Sequence, residues 1–230
     1  MKLKLVAWNI WVDGWLDKWT DFLQKADADI ICLQEVKDDD GKRDIIAELT
    51  KRGYEHTFAA VEQVWDGEPF RFGNAIFSKF PIIHSEKIQL ETGERERAAA
   101  YAKIDVNDIV LNVFTTHLIH THQQPSEEQE EQTNKLIAKL PNEKVVVMGD
   151  FNATPESASI QAMEKVLVNT DPGSIPTWSM YPEGCRKCKP QKVDTKLDYI
   201  FVSKDLGFDS FQVGQSDGSD HLPVLVMVEI

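Results

Sequence analysis

The chain has 230 residues, of which 42% are hydrophobic and 27% are charged, and its formal net charge at pH 7 is −13. This composition is typical of a globular protein that buries a substantial core. The acidic balance disfavours tight, non-specific binding to long duplex DNA, which usually requires a basic face. Three cysteines, an odd number, disfavour a disulfide framework.

The N-terminal stretch MKLKLVAWNI alternates like a strand and has no signal-peptide cleavage pattern. No apolar run approaches the length that crosses a bilayer, so we expect no membrane span. A cytoplasmic protein is the expected class. The sequence does not determine the oligomeric state.

Strand-like apolar runs alternate with helical patterns along the chain. The predicted helices cover residues 16–26, 42–53, 127–140 and 157–167. The predicted strands cover residues 3–9, 28–35, 54–60, 74–78, 82–88, 99–105, 109–116, 145–148, 197–203, 208–214 and 222–229. In the first helix, Trp15, Trp19, Phe22 and Leu23 form one apolar stripe, which predicts core packing. The pattern indicates one α/β domain over residues 1–230, with both sheet faces covered.

Two local signals mark turns and helix ends. Ser126, followed three residues later by Gln129, predicts a capping box at the start of the helix over residues 127–140. The dipeptide Asn107–Asp108 between two strand runs predicts a hairpin. Residues 168–196 form a predicted loop.

Polar residues recur at the ends of the predicted strands. The run VVVM ends in Asp150 and Asn152, and residues two apart in an extended chain point the same way. Other strands end in, contain or directly follow polar side chains as well: Asn9, Gln34, Glu35, His117, Asp198, Asp220 and His221. Acids, amides and histidines gathered at strand ends are typical of active sites in α/β folds.

The segments WN, QE, SKFP, TTHL, GDFN, LDYI and SDH follow in this order between Asn9 and His221. Together they resemble the endonuclease/exonuclease/phosphatase superfamily, which includes DNase I-like nucleases, abasic-site endonucleases, inositol polyphosphate 5-phosphatases, neutral sphingomyelinases and mRNA deadenylases. The resemblance implies a four-layer α/β sandwich, with two mixed β-sheets packed face to face and helices on the outside. It also implies a divalent metal, Mg²⁺ or alternatively Mn²⁺, and hydrolysis of phosphate esters.

The resemblance also implies the metal ligands and the catalytic groups. Glu35 is the expected main metal ligand, Asn9 is expected to help fix Glu35, and Asp220 is expected to lie nearby. Mg²⁺ prefers such oxygen ligands. Asp150 is the candidate base or orienter for the attacking water. Asn152 is expected to hold that water or a phosphate oxygen. Which group acts as general base stays open.

The histidines are expected to contact the phosphate. His221 is similar to the family histidine at the scissile phosphate, and Asp198 is expected to pair with its other ring nitrogen and keep it charged. His117 is expected to donate to a phosphate oxygen, with Asn74 orienting it. Arg97 is a candidate donor to the phosphate, because a guanidinium suits phosphate oxygens, or else a solvated arginine at a strand edge.

Several aromatic and basic residues are candidates for substrate contact. Trp178 and a group of residues near the expected mouth are predicted either to stack on a base or ring or to pack on one another: Trp11, Trp65, Phe70 and Arg71. The basic stretch CRKCKPQK, residues 185–192, is expected either to contact an extra phosphate or a strand of nucleic acid, or to be a solvated loop.

The expected function is hydrolysis of a phosphodiester bond, with a short or single-stranded nucleic acid as the expected substrate. Alternatives are a small-molecule or lipid-headgroup phosphodiesterase or phosphatase, and a non-catalytic binding module on the same fold. Loss of a metal ligand or of His221 would favour the binding module, and none is missing.

Two further motifs suggest zinc. HLIHTH offers His117, His120 and His122, but no acidic or cysteine partner follows at ligand spacing, so we expect two of the three, His120 and His122, to be ordinary loop residues. The single CxxC, Cys185 and Cys188, needs two more ligands from a second chain or nearby histidines. A zinc hydrolase built on the histidines predicts loss of activity on mutating His120 or His122, whereas the family resemblance predicts indifference there.

Overall fold

The computed structural model describes residues 1–37, 41, 43–65, 68–91, 96–171, 173–179, 181–185 and 187–230, and only the backbone of Trp65 and Glu68. The helices are α1 (Leu16–Ala26), α2 (Ile45–Lys51), α3 (Glu127–Ile137) and α4 (Ala158–Val166). The strands are β1 (Lys2–Asn9), β2 (Ile30–Lys37), β3 (Glu55–Trp65), β4 (Glu68–Ser78), β5 (Ile82–Gln89), β6 (Ala98–Val106), β7 (Ile109–His117), β8 (Val145–Asp150), β9 (Val168–Asn169), β10 (Asp198–Val202), β11 (Gly207–Val213) and β12 (Val224–Glu229).

The strands form two six-stranded sheets. The first has the order β11-β12-β1-β2-β4-β3, and the second has the order β5-β6-β7-β8-β10-β9. Each sheet contains one parallel pair, β1 with β2 and β7 with β8, while its other pairs are antiparallel. Both sheets are therefore mixed.

The central core lies between the sheets, because strand side chains alternate between two faces. Leu5 and Ala7 of β1 belong to the same buried cluster as Val146 of β8. Val6 and Trp8 point the other way and pack with side chains of α1 and α2. A third buried cluster joins the outer face of the second sheet to α3 and α4. This arrangement confirms the predicted four-layer sandwich.

Some local predictions were wrong. Trp15 stays 40% exposed, because it precedes the first turn of α1 and contacts Trp11 and Tyr181, whereas Trp19 and Leu23 are buried as predicted. The β3–β4 ribbon extends well beyond the predicted strands, since backbone pairing continues through polar residues that pattern alone does not mark.

The start of α3 matches half of the predicted capping box. Ser126 Oγ accepts from the backbone N–H of Gln129. The Gln129 side chain turns into the core instead of returning to the cap, and it donates to the carbonyls of Phe151 and Asn152. Among the described helices, none combines the length and apolar character needed to cross a membrane.

Candidate active site

Polar side chains meet at one edge of the two sheets because the strands that carry them end there. Asn9 ends β1 beside Gln34 of β2. In the second sheet, His117 ends β7 beside Asp150, and Asp198 begins β10 opposite Asp150. A hydrogen bond of 3.0 Å from Asn9 Nδ2 to Asp150 Oδ2 joins the two sheets at this edge.

The backbone adopts unusual conformations at this edge. A bulge interrupts the pairing of β2 with β4, and Glu35 within it has φ 60°. Gly149 has φ 144°, and a Cβ there would lie 2.1 Å from the Thr116 carbonyl oxygen, so only glycine fits. Asn152 has φ 50°. A non-glycine residue in this region costs about 1–3 kcal/mol, and such costs cluster at functional sites.

Both carboxylate oxygens of Glu35 accept a hydrogen bond. Asn9 Nδ2 donates to Oε1 at 3.1 Å, and the Val12 backbone N–H donates to Oε2 at 2.9 Å. Asn9 Oδ1 accepts from the Trp11 N–H, so its amide hydrogens face Glu35 and Asp150. Burial, followed by the nearby Asp220 charge, raises the pKa of Glu35.

His221 forms an ion pair at the centre of the site. Its Nδ1 lies 2.8 Å from Asp198 Oδ2, which also accepts from Thr177 Oγ1 at 2.6 Å. Its Nε2 lies 3.6 Å from Asp150 Oδ2. Burial lowers the pKa of His221, but the carboxylates of Asp198, Asp150 and Asp220 outweigh that effect and raise it well above its usual value. The imidazole is therefore charged at neutral pH.

Asp150 differs from an ordinary aspartate. It is 1% exposed, and burial raises its pKa to about 7 even though the His221 charge acts in the opposite direction. The Asn152 backbone N–H donates to its Oδ1. A carboxylate with a pKa near the working pH can both accept and release a proton.

His117 is the second histidine of the site. Its Nε2 lies 3.5 Å from Asp150 Oδ2 and 3.9 Å from Glu35 Oε1. Burial, followed by the positive charge of Arg97, lowers its pKa well below the usual value. The two histidines therefore differ in charge, with His117 neutral and His221 positive.

Arg97 and Asn74 line a small cleft together with His117. The Arg97 guanidinium lies over the ring of Phe72, at 5.8 Å from its centroid, and it is half-buried. Asn74 does not orient His117 as predicted, because its amide donates to the Ala98 carbonyl at 2.7 Å. Its carbonyl oxygen is buried without a hydrogen-bond partner among the described residues.

Trp178, predicted either to stack on a base or ring or to pack against other residues, is packed inside the fold. Its side chain is 4% exposed, and its indole N–H donates to Asp220 Oδ2 at 3.1 Å. Gly184 lies against the same carboxylate, and a Cβ there would be 2.2 Å from Oδ2. Trp178 therefore positions Asp220. Burial raises the pKa of Asp220.

The Asn152 side chain is held at both ends. Its Nδ2 donates to the Leu118 carbonyl at 3.1 Å, and its Oδ1 lies 2.6 Å from His120 Nδ1. Oδ1 faces His120, and the contact of Asn152 with the attacking water or a phosphate oxygen stays a prediction for its amide nitrogen. An amide carries two hydrogens, and Leu118 takes one of them.

The comparisons with known proteins agree with this geometry. The model of the Endonuclease/Exonuclease/phosphatase family matches residues 6–221. The chain belongs to this family. Its members are hydrolases that act on phosphodiester bonds.

Three relatives illustrate the match. An exodeoxyribonuclease of Bacillus subtilis (strain 168) is 24% identical over 273 residues, covering 99% of this chain and all of the relative. An endonuclease/exonuclease/phosphatase structure from Beutenbergia cavernae DSM 12333 has a TM-score of 0.81 and 21% identity, covering 100% of this chain and 72% of the other. D. rerio TDP2, solved with a single-strand DNA product, has a TM-score of 0.74 and 19% identity, covering 100% of this chain and 99% of the other.

As in other members of this family, the site suits a divalent cation. Four buried or half-buried carboxylates face one another: Glu35, Asp150, Asp198 and Asp220. We call these four residues, with His221, the carboxylate site. The Asp220 charge raises the pKa of Glu35, so these two carboxylates lie near each other and repel, and the single charge of His221 does not balance the group. A hard cation with oxygen ligands would supply the missing positive charge.

Two of the aromatic candidates, Trp11 and Phe70, pack on other aromatic rings of the protein. Trp11 stacks on Tyr181 with ring centroids 5.6 Å apart, and Phe70 lies 5.3 Å from Phe72. Arg71 is exposed. The side chain of Trp65 and all of Arg186 lie outside the described residues. In the remainder of the basic stretch the lysines reach the surface, and Lys192 lies 3.5 Å from Asp194.

Sequence reasoning missed four residues that support the site. Thr177 donates to Asp198, and nothing in the pattern around it signals this contact. Gln129, which donates to the Asn152 carbonyl, resembled half of a helix cap. Tyr181 lies in the predicted loop and stacks on Trp11. His120 belonged to a motif that we discounted because its partners are distant in sequence.

Proposed function

We propose that this protein is a metal-dependent phosphodiesterase of nuclease type, acting on a short or single-stranded nucleic acid. The observation that carries the proposal is the charged His221, held by Asp198 and placed 3.6 Å from an Asp150 whose pKa is about 7. A phosphodiester needs its negative charge neutralised and an attacking water activated, and this pair offers a group for each task.

The residues divide these tasks by their charge. His221, kept positive by Asp198, neutralises a non-bridging oxygen of the scissile phosphate. Asp150 orients the attacking water and takes its proton. Neutral His117 donates a hydrogen bond to a phosphate oxygen, and Arg97 adds positive charge from the cleft that it shares with His117. Asn152 adds its remaining amide hydrogen.

Glu35 is the main metal ligand in this proposal. Mg²⁺, or alternatively Mn²⁺, polarises the phosphate and stabilises the charge of the leaving oxygen when bound. Asn9 fixes the Glu35 carboxylate through its amide hydrogens and is not itself a ligand. Asp220, close enough to raise the pKa of Glu35, completes the oxygen ligands. The charged His221 has no lone pair available for a metal, so the group Asp150, Asp198 and His221 is assigned to the phosphate and the water instead.

The choice of nucleic acid rests on two relatives and on charge. One relative is named exodeoxyribonuclease, and another was solved with a single-strand DNA product. The net charge of −13 disfavours a long duplex.

The test is hydrolysis by the purified protein of bis-p-nitrophenyl phosphate, a single-stranded oligonucleotide, abasic duplex DNA and sphingomyelin. Each substrate is assayed with Mg²⁺, without added metal and with EDTA. We expect Mg²⁺-dependent cleavage that is fastest on the single strand, strongly reduced in Asp150→Asn and retained in Asp21→Asn, which changes an exposed aspartate of α1. Preference for sphingomyelin would replace the nuclease by a lipid phosphodiesterase, and no turnover by folded protein would contradict catalysis.

A further inference from the structure

Four side chains from two loops converge beside the carboxylate site, and we call them the thiol–imidazole cluster: His120, His122, Cys185 and Cys188. The histidines follow β7, and the cysteines lie in the long loop before β10. His122 Nδ1 is 3.1 Å from His120 Nε2, 3.3 Å from Cys188 Sγ and 3.4 Å from Cys185 Sγ. One ligand atom from each residue lies within 4.8 Å of all the others.

These spacings are those of a tetrahedral zinc site. With Zn–N of about 2.0–2.1 Å and Zn–S of about 2.3 Å, two nitrogens are separated by about 3.3 Å and a nitrogen and a sulfur by about 3.6 Å. The cluster has 3.1 Å between its nitrogens, and 3.3, 3.4 and 3.9 Å for its nitrogen–sulfur pairs. Small shifts of the side chains would bring all four atoms around one ion.

We infer that His120, His122, Cys185 and Cys188 bind one Zn²⁺ as a closed structural site. Two thiolates and two imidazoles form a ligand set that is characteristic of structural zinc, whereas catalytic zinc keeps one position for water. The zinc therefore does not perform the hydrolysis. This assignment also replaces our prediction that the two histidines are ordinary loop residues.

The CxxC turn is shaped for a thiolate. The Cys188 backbone N–H points at Cys185 Sγ at 3.0 Å. A backbone N–H donated to sulfur stabilises the negative charge that a metal-binding cysteine carries. Cys185 is buried and packs with Trp178 and Leu197, so the turn is fixed against the fold.

The site joins the two loops that form one wall of the active site. When His120 Nε2 binds metal, its proton is on Nδ1, which donates to Asn152 Oδ1 at 2.6 Å. Cys185 packs against Trp178, whose indole holds Asp220. Zinc would therefore fix the orientation of Asn152 and the position of Asp220 from outside the carboxylate site.

The test begins with the metal content of the full chain purified without chelators. We expect about one zinc per chain in the wild type, and a small fraction of that in Cys188→Ser and His122→Gln. Cys32→Ala and His84→Gln are the matched controls, because Cys32 lies in the core between the sheets and His84 is exposed. Both controls keep the zinc.

A second measurement on the wild type does not depend on how the variants fold. Replacing zinc by Co²⁺ should give a thiolate-to-metal charge-transfer band and the strong visible bands of a tetrahedral site. Absence of zinc together with absence of these bands would overturn the proposal. A Cys185–Cys188 disulfide in freshly purified protein, or zinc retained at full occupancy in folded Cys188→Ser and His122→Gln, would overturn it too.

Discussion

The carboxylate site and the thiol–imidazole cluster are neighbours with opposite chemistry and opposite construction. The first gathers carboxylate oxygens around Asp150 and Asp198, which lie at strand ends that pair with each other in the second sheet. The second uses sulfur and nitrogen on two loops, with Cys185 and His122 separated by 63 positions in sequence. Strand ends are positioned by backbone pairing and can be recognised from local patterns, whereas a loop cluster is defined only by the folded chain.

The two regions also divide their tasks. In our two proposals, the carboxylate site carries the groups that act on phosphate, and the thiol–imidazole cluster holds the loops around it through Asn152 and Trp178. Variants of each region test this division.

Loss of His221 should have the largest effect. We expect His221→Gln to lower kcat by about 10²–10⁴-fold, because the positive charge at the phosphate disappears. Asp198→Asn should lower it less, and the double variant should be no slower than His221→Gln, since both act through one imidazole. Single-turnover cleavage of a labelled oligonucleotide measures this, with His84→Gln as the control. A double variant whose loss in kcat equals the product of the two single losses would show that Asp198 and His221 act independently.

The pH dependence should follow Asp150. Burial raises its pKa to about 7, and the ionised form is the one that accepts a proton, so activity rises with pH through this value. We expect kcat/KM to fall about tenfold per pH unit below about pH 7 and to level off above it. Asp150→Asn should remove this slope from its residual activity. A flat profile from about pH 5 to about pH 8 in the wild type would exclude Asp150 as the base.

Loss of the thiol–imidazole cluster should have an intermediate effect. We expect His122→Gln to lower kcat about tenfold, because the His120 imidazole that holds Asn152 is no longer fixed by a metal. The Mg²⁺ concentration for half-maximal activity should change by less than kcat does, because Trp178 keeps its hydrogen bond to Asp220. Steady-state kinetics over a Mg²⁺ series separates these two quantities. A change in Mg²⁺ dependence without a change in kcat would contradict the division between the two regions.

The smallest effect should come from Trp178. We expect Trp178→Phe to keep the aromatic packing but lose the indole N–H, which lowers the free energy of unfolding by about 1–3 kcal/mol, because Asp220 keeps a buried acceptor without its partner. Denaturant unfolding measures this, with Trp15→Phe as the control at a half-exposed tryptophan. Equal stability of the two variants would show that the indole bond contributes nothing.

The sequence predicted the carboxylate site better than its surroundings. The four-layer sandwich and the Asp198–His221 contact followed from strand patterns and family motifs, and both are present. The orientations of Asn74 and Trp178 did not follow, because a side chain's partner depends on loops that pattern does not place. Gln129 shows the same limit, since a residue that fits a helix cap is used to hold Asn152.

The loop cluster lay beyond local reasoning for a different reason. HLIHTH and CRKC each contain two of the four zinc ligands. Considered alone, each motif is explained equally well by ordinary loop residues. Only the packing of the loop before β10 against the loop after β7 brings His122 to Cys188. Two such half-sites in one sequence predict a metal site only as a hypothesis. The folded structure is needed to show that the two halves meet.

The most direct test of the central claim is the Mg²⁺ dependence of oligonucleotide cleavage by the wild type, Glu35→Gln and Glu143→Gln. Glu143 is an exposed glutamate and serves as the matched control. If Glu35 is the main ligand of the ion that hydrolysis needs, half-maximal activity should require at least about tenfold more Mg²⁺ in Glu35→Gln and the same concentration in Glu143→Gln. A Glu35→Gln variant with the Mg²⁺ dependence of the wild type would contradict the account.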